Sequence, residues 1–276
     1  MRADNQPSGY QQVDAAPDPQ ALLESMVVTA SWPATIDLRT WECDRLALAP
    51  GERLLDVGCG LGEAARTLAA ALGPAGEVLG LDTSTAMLDA ARTGWDVECP
   101  ARFAPGDAMA LGVPSGSFDA ARAERVLQWL PEPRSALTEL ARVLRDGGRV
   151  SLIDTDWGSL RLDIGDEGLT AAVEQTMAVE RHRPSRVGRR LVDLARAAGF
   201  CDVESTQATQ VWSDWDPDTS PAPDGCFSMR DLGEDMVDAG ELDPSDLEGF
   251  VATAHDAARD GRFSMSLTMY AVVGTR

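Results

Sequence analysis

A glycine-rich loop that directly follows a short apolar run is the feature that most constrains the fold of this chain. The stretch RLLDVGCGLGEAAR begins at Arg53 and holds Gly58, Gly60 and Gly62 at alternate positions. Glycine adopts positive φ without steric cost and lets the backbone approach another group closely. We therefore predict a strand, a tight turn and a helix at 62–72, with the turn facing an anionic or polar ligand.

Runs of strand length alternate with amphipathic segments of helix length as far as residue 156. The predicted strands lie at 53–57, 77–82, 118–123 and 149–156 and within 101–107, and the predicted helices at 20–29, 35–48, 62–72, 84–92 and 134–148. Such alternation is typical of a parallel sheet with helices on both faces. Beyond it, we predict helices at 167–181 and 187–199, mostly helical structure over 225–260, and strands at 201–210 and 263–275. The last two strands are expected to form a hairpin into which a helical cap is inserted.

The composition argues against several kinds of partner. The chain carries 24 Lys+Arg against 45 Asp+Glu, a net charge of −21. Such a surface repels phosphate backbones and anionic membranes, so we expect no nucleic acid and no membrane as partner. Five cysteines without CxxC spacing and two histidines predict no metal site. No apolar run is long enough for a membrane span or a signal peptide, so we expect a cytoplasmic protein. We expect it to be a monomer or a homodimer.

Three carboxylates at predicted strand ends indicate the class of ligand. Dinucleotide loops follow G-x-G-x-x-G, whereas this loop offers G-x-G-x-G. Asp56 would be misplaced beside a pyrophosphate, because like charges repel, and suits a ligand with a positive group. Asp82, at the end of the second strand, can accept hydrogen bonds from ribose hydroxyls. Asp107, in GDAMAL beside Ala108, can accept from an adenine amino group, although a turn or helix-cap role is the alternative.

These motifs together resemble those of the class I S-adenosylmethionine-dependent methyltransferases, in the branch that modifies small molecules in secondary metabolism, including antibiotic biosynthesis, and in quinone pathways. LLDVGCGLG, VLGLDTSTAML, GDAMAL, SFDAARAERVLQWLPEP and ELARVLRDGGRVSLID occur in the family's order. The predicted fold is α/β: a Rossmann-like doubly wound sheet, mostly parallel with a C-terminal antiparallel strand, plus a helical cap. The chain then divides into an N-terminal arm and helices (1–48), an S-adenosylmethionine-binding core (49–157), and substrate cap helices with the final sheet strands (158–276).

The resemblance implies S-adenosylmethionine as cofactor and a methyl transfer to O, N or C of a small metabolite. A flat aromatic metabolite is one option, because several tryptophans could stack on it. The glycine loop would line the methionine end of the cofactor, and Arg39 would neutralise the methionine carboxylate, unless it is an ordinary surface charge. The residues expected to contact the cofactor are Arg39, Asp56, Gly58, Cys59, Gly60, Gly62, Asp82, Thr83, Met87, Gly106, Asp107, Ala108, Ala123 and Glu124. Many relatives have a histidine where this chain has Trp129, which removes one acid–base group.

Candidates for catalysis and substrate contact rest on less specific signals. His182 lies among arginines, whose positive charge favours its neutral, proton-accepting form. Asp156 ends the fifth strand at the edge where open α/β sheets bind ligands. A surface histidine and a helix cap are the respective alternatives, and His255 is interpreted as an ordinary residue of the cap. The predicted catalytic residues are His182, Asp156 and Glu124, and the predicted substrate-binding residues are Tyr10, Trp32, Trp129 and Trp157.

Other functions remain open at this level. The same fold and cofactor would also serve a non-methylating enzyme, such as a cyclase or decarboxylase, and product mass separates the two. A dinucleotide-dependent oxidoreductase is disfavoured by the glycine spacing and by Asp56. A binding protein without catalytic activity is the remaining alternative.

Overall fold

The computed structural model describes residues 12–178, 186–225 and 227–276. The strands in this part of the chain are β1 (Arg53–Val57), β2 (Glu77–Asp82), β3 (Ala101–Pro105), β4 (Phe118–Glu124), β5 (Leu144–Asp163), β6 (Cys201–Trp212) and β7 (Ser264–Thr275). They form a sheet in the order β3-β2-β1-β4-β5-β7-β6. The pairs from β3 to β5 are parallel, whereas β7 runs antiparallel to both β5 and β6. The predicted Rossmann-like α/β sheet with an antiparallel C-terminal strand is therefore confirmed.

The helices begin where the local sequence favours it. The helices in the described ranges are α1 (Pro19–Ala30), α2 (Pro33–Leu46), α3 (Glu63–Leu72), α4 (Thr85–Thr93), α5 (Pro133–Val143), α6 (Glu167–Ala178), α7 (Leu191–Ala197), α8 (Met229–Ala239) and α9 (Leu247–Arg259). Proline opens α1, α2 and α5, where its missing N–H costs no hydrogen bond. Ser84 caps α4 as predicted. The two last helices lie between β6 and β7, which confirms the hairpin with an inserted helical segment.

Side-chain alternation along the strands assigns each residue to one face of the sheet. In β1, Leu55 packs with Leu137 of α5 and Leu191 of α7, whereas Leu54 packs with Leu46 of α2 and with α3. Successive strand residues point to opposite faces of the sheet, so every second residue along a strand lies on the same face. Burial of each such leucine contributes about 1.5–3 kcal/mol to the stability of the fold. The parallel strands end at a common edge between the two helix layers.

The boundary between α5 and β5 differs from the prediction. A helix was expected over 134–148, but α5 ends at Val143 and β5 begins at Leu144, which pairs with Phe118. Gly147 has a positive φ of 74°, which a helix does not accommodate. At its other end β5 extends past the predicted end at 156 and pairs with β7 as far as Asp163. The strand therefore carries side chains beyond the common edge of the sheet.

In the ranges that the structure describes, no helix combines the length and the apolar character needed to cross a membrane.

Candidate functional site

The glycine loop between β1 and α3 forms an open cradle. Gly58, Gly60 and Gly62 have φ of 67°, 50° and 72°, a region that other residues rarely adopt. A Cβ atom at Gly58 would overlap Cγ2 of Val126, and one at Gly60 would overlap the end of the Met26 side chain. Backbone conformation and available space therefore both favour glycine at position 58, whereas at position 60 the positive φ is the main requirement, because the end of the Met26 side chain can move aside.

Asp82 is held at the edge of this loop by two backbone N–H groups. Its Oδ2 accepts from Gly60 N and its Oδ1 accepts from Ser84 N, each at 2.9 Å. Burial raises the pKa of Asp82, although these hydrogen bonds act in the opposite direction. Because each carboxylate oxygen has a second lone pair, Asp82 can still accept from two adjacent hydroxyl groups of a ligand.

A cavity of about 850 Å³ extends from the glycine loop to the cap helices. This volume lies in the upper part of the range of about 300–1,000 Å³ that is usual for ligand sites. The predicted cofactor residues that line it are Arg39, Gly58, Cys59, Gly60, Asp82, Thr83, Met87, Gly106, Asp107, Ala108 and Glu124. The predicted substrate residues Trp32, Trp129 and Trp157 line the same cavity. The structure therefore brings most of the predicted set together.

The cradle and the carboxylates fit S-adenosylmethionine. Gly58 and Gly60 line the cavity without side chains of their own, and the space a Cβ would need there is taken by Val126 and Met26. Asp82 ends β2 and Asp107 follows β3 at the same edge. Oδ1 of Asp107 accepts from Met109 N at 2.8 Å, so this residue also stabilises its own turn, as the alternative interpretation held. Burial raises the pKa of the Cys59 thiol, and Asp56 and Asp82 add to the effect. The thiol therefore stays protonated and does not compete with a ligand as a nucleophile.

A network of buried charges lies beside the cavity and joins α2, β1 and β4. The guanidinium of Arg122, whose side chain is 3% exposed, donates to Glu42 at 2.9 Å, to Asp56 at 3.0 Å and to Glu124 at 2.7 Å. Burial raises the pKa of Asp56 to about 6, while Arg122 opposes the shift. Arg39 joins the network through two bonds of 2.9 Å from Nε and Nη2 to Glu124. Its Nη1 takes no part in this pair and can donate to an anionic ligand.

The predicted catalytic role of Glu124 is not supported by this network. Burial alone would raise the pKa of Glu124, but Arg39, Arg122 and Arg125 outweigh burial, and the pKa lies well below its usual range. A carboxylate that three guanidinium groups keep ionised is a poor proton acceptor at neutral pH. Glu124 instead orients Arg39 at the cavity wall.

Asp156 faces away from the cavity because of the alternation along β5. Thr155 and Trp157 line the cavity, whereas the intervening Asp156 is buried on the opposite face and pairs with Arg189. This face is the one to which α7 packs. The position of Asp156 therefore contradicts its prediction as a residue that touches substrate.

Three predicted cofactor residues also lie behind the cavity wall. Asp56 is fully buried on the α2 side of β1, and its Oδ2 has no hydrogen-bond partner among the residues that are described. Ala123 points into the core formed with α5 and α7. Gly62 is the N-cap of α3, and a Cβ there would meet Ala91 and Phe103 rather than a ligand. These residues shape the site from outside and do not line it.

Two predictions fall outside the described residues, and one histidine lies elsewhere. Tyr10 and His182 belong to the segments that the structure does not describe. His255, in α9, contacts the ring of Trp215 with centroids 5.3 Å apart and is not among the residues that line the cavity. Its interpretation as an ordinary residue of the cap agrees with this position.

Several residues of the cavity wall were missed by the sequence analysis. Arg125, directly after β4, has a φ of 55° and lines the cavity, and such backbone strain often occurs at functional sites. Gln128 accepts a hydrogen bond of 2.6 Å from Nε1 of Trp157. Four carboxylates of α8 line the cavity at helical spacing and were detectable as one face of a helix: Asp231, Glu234, Asp235 and Asp238. Within the three described ranges, no group of three or more His, Cys, Asp or Glu side chains is arranged to hold a metal ion.

Comparison with known proteins agrees with this geometry. A family model described as a methyltransferase domain matches residues 55–152, and a model of protein-L-isoaspartate(D-aspartate) O-methyltransferase matches residues 11–98. An uncharacterized 37.1 kDa protein in transposon TN4556 of Streptomyces fradiae is 33% identical over 259 residues, which cover 94% of this chain and 72% of that protein. The chain belongs to the class I S-adenosylmethionine-dependent methyltransferases. Its cofactor is S-adenosylmethionine.

Two further relatives show how far the similarity reaches. The demethylmenaquinone methyltransferase of Lactococcus lactis is 37% identical over 118 residues, which cover 42% of this chain and 47% of that enzyme. The chain thus spans about half the length of the named methyltransferases that it matches. The crystal structure of the YcgJ protein of Bacillus subtilis is 21% identical with a TM-score of 0.54, and the match covers 87% of this chain and 98% of that one. The similarity to this structure concerns the fold alone.

Proposed function

We propose that this methyltransferase moves a methyl group from S-adenosylmethionine to an O, N or C atom of a small organic acceptor with a flat apolar part. The observation that carries the proposal is the continuous cavity, which joins the glycine loop at one end to tryptophan and phenylalanine side chains at the other. The family relationship supports the cofactor, and the cavity supports a small acceptor beside it.

At the cofactor end, polar side chains of the chain are positioned before any ligand binds. Asp82 is oriented by two backbone N–H groups and would accept from the ribose hydroxyls. Asp107 and Ala108 would contact the adenine, and Arg39 would hold the methionine carboxylate. Because Glu124 fixes the guanidinium of Arg39 with two bonds, little side-chain freedom is lost when an anion binds there.

At the acceptor end, aromatic rings line the cavity together with the carboxylates of α8. The indole N–H of Trp157 is bonded to Gln128, so this residue offers apolar ring surface to a ligand. The ring of Phe227 lies 6.3 Å from that of Trp157, tilted by 58°, and both residues line the cavity with Trp129. Rings at such distances suit offset or edge-on contact with a third, flat ring. A planar acceptor of the quinone or quinol type suits this surface, and the name of the L. lactis relative contains such a compound, demethylmenaquinone.

When bound, the cofactor supplies a methyl group on a positively charged sulfonium. The role of the protein is to align the acceptor atom with that methyl group and to exclude water. Such alignment lowers the reaction barrier by roughly 7–11 kcal/mol in well-oriented systems. No imidazole lines the cavity among the residues described, and Glu124 is held ionised by arginines. We therefore propose that neither an imidazole of the described residues nor Glu124 transfers a proton, and that positioning is the main contribution of the chain. The division into residues 1–48, 49–157 and 158–276 belongs to the same proposal, since each part contributes to the cavity.

The proposal is tested by turnover with a defined panel of acceptors. The purified chain is incubated with S-adenosylmethionine and 1,4-naphthoquinol, a catechol or an aromatic amine, and the products are analysed by mass spectrometry. Formation of S-adenosylhomocysteine together with a product heavier by one methyl group supports it. Conversion of an acceptor without a methyl gain and without S-adenosylhomocysteine points to the non-methylating alternative.

The variant Asp82→Ala tests the cofactor site. It is expected to abolish turnover through loss of cofactor affinity, measured by calorimetry with S-adenosylhomocysteine. The substitution Asp89→Ala, on the exposed side of α4, serves as the reference and should bind normally. Unchanged affinity in Asp82→Ala would contradict the assignment of Asp82 to the ribose.

A further inference from the structure

An aspartate of the N-terminal arm, by which we mean the described residues 12–18, is bonded to the start of a helix that is distant in sequence. Asp14 lies in a short 3₁₀ turn, Val13–Ala15, that precedes α1. Its Oδ1 accepts from Ser84 Oγ at 2.6 Å and from Ala86 N at 3.2 Å, and its Oδ2 accepts from Thr85 N at 2.7 Å. The first turn of a helix has backbone N–H groups without partners in the helix. Asp14 satisfies two of them across a separation of about 70 residues in the chain.

This contact is separate from the helix's own cap. Ser84 is the N-cap of α4 and accepts from Met87 N at 3.2 Å. The hydrogen bond from Ser84, followed by that from Thr85, lowers the pKa of Asp14, so the carboxylate is ionised at neutral pH. A negative charge at a helix N-terminus is stabilised by the helix dipole. The arm therefore docks through a charge-assisted contact on a helix that is already capped.

The docked arm forms part of the wall of the cofactor cavity. Val13, the neighbour of Asp14, is buried, and both Gln12 and Val13 line the cavity together with Asp82. Ser84 connects the two sites, because its N–H donates to Asp82 and its hydroxyl donates to Asp14. The carboxylate assigned to the ribose and the carboxylate of the arm are thus bonded to the same residue.

We propose that Asp14 is a positioning residue that holds the arm across the ribose end of the cavity, so that the cofactor leaves only when the contact between Asp14 and α4 breaks. The proposal concerns cofactor retention and goes beyond the identity of the methyl acceptor. Asp14 acts through Val13 and Gln12, which the contact keeps against the cavity, and not by touching a reacting atom. The loss of this contact therefore accelerates cofactor release.

The test measures release of S-adenosylhomocysteine by stopped-flow displacement and its dissociation constant by calorimetry. Asp14→Ala is expected to raise the dissociation rate roughly 5- to 30-fold, which is the range for a lost charge-assisted cap, with a rise in the dissociation constant. Asp14→Asn, which keeps one acceptor oxygen but no charge, should give an intermediate rate. Asp243→Ala removes an aspartate that caps Ser245 locally, and neither residue lines the cavity, so this variant should leave the rate unchanged.

A second variant separates docking of the arm from the stability of α4. Thr85 is the first residue of α4, where proline is well tolerated, and Ser84 before it is extended with φ of −89° and ψ of 123°. Thr85→Pro removes the N–H that Asp14 accepts while α4 keeps Ser84 as its cap. Because the bonds from Ser84 and Ala86 to Asp14 remain, Thr85→Pro should accelerate release, but less than Asp14→Ala does. Thr85→Ala keeps the backbone N–H and loses only the side-chain hydrogen bond to Asp14, so it should accelerate release least.

Two results would overturn the proposal. One is a dissociation rate within twofold of the wild type in both Asp14→Ala and Thr85→Pro. The other is acceleration in Asp14→Ala alone, which would assign the effect to α4 stability. Neither measurement uses a methyl acceptor. The release rates can therefore be interpreted even if the turnover experiment finds no acceptor.

Discussion

Replacing Arg122 with methionine tests the buried charge network most directly. The side chain of Arg122 is 3% exposed, and those of Glu42 and Asp56 are 1% and 0% exposed. Methionine fills similar space but leaves these two carboxylates without the cation that neutralises them, whereas Glu124 keeps Arg39. Removing one partner of a buried ion pair typically costs about 3–5 kcal/mol. We expect a loss of this size in the free energy of unfolding near neutral or higher pH.

The same reasoning predicts that the loss depends on pH. Burial already raises the pKa of Asp56 to about 6 with Arg122 present, and removal of the cation raises it further. A carboxyl group whose pKa is higher in the folded than in the unfolded state binds more protons when folded, so stability decreases as pH rises through the folded pKa. Below that pKa the buried group is neutral. The deficit of Arg122→Met should therefore shrink by about 1–2 kcal/mol between about pH 8 and about pH 5.

Urea unfolding followed by circular dichroism at the two pH values measures both effects. Arg102→Met is the matched control, because the Arg102 side chain is 76% exposed and its pair with Glu77 spans 4.0 Å. An exposed pair of this kind contributes about 0–1 kcal/mol. Adding Glu42→Gln to Arg122→Met should restore part of the lost stability. A loss under about 1 kcal/mol, or an equal loss at both pH values, would refute the reasoning.

Three other outcomes follow from single contacts. Gly58→Ala should abolish binding of S-adenosylhomocysteine and lower the free energy of unfolding by about 1–3 kcal/mol, measured by thermal unfolding. The control Gly112→Ala, whose φ is 66° but whose Cβ would meet no atom, should lose only about 1 kcal/mol. Equal losses in the two variants would contradict the steric argument. Burial raises the pKa of Asp154 to about 7, so the free energy of unfolding of the wild type should fall as pH rises from about 5 to about 8, and a flat urea-unfolding profile would contradict this. Trp157→Phe leaves the side-chain amide oxygen of Gln128 without its donor and should lower the free energy of unfolding by about 1–2 kcal/mol. The same substitution should cost less in a Gln128→Leu background. Additive losses in this double-mutant cycle would disprove the coupling.

The local pattern of the sequence determined the layout of the sheet and the cofactor end of the site. Alternating strands and helices predicted the parallel sheet, and the spacing of the glycines predicted the cradle after β1. Asp82 and Asp107 could be assigned to one site because the carboxyl ends of neighbouring parallel strands meet at one edge. These inferences use short-range signals, in which each residue's environment depends on its near neighbours in the chain.

The acceptor end and the charge network were decided by the tertiary structure. Alternation shows that Asp156 and Trp157 point to opposite faces, but only the packing of the cap on one face makes Trp157 part of the cavity. Glu124 was predicted as a catalytic residue, but Arg39, 85 residues earlier in the chain, pairs with it and keeps it ionised. Asp14 likewise meets α4 through a contact between distant segments.

The difference has one physical cause. A backbone conformation such as that of Gly58 is determined by sterics within the residue and its neighbours, so the glycine pattern reveals it. The protonation and role of a carboxylate depend on the charges and the burial around it, and distant segments supply both once the chain has folded. The sequence by itself therefore determined where the glycine loop lies, whereas the fold decided which charged residues line the cavity beside it.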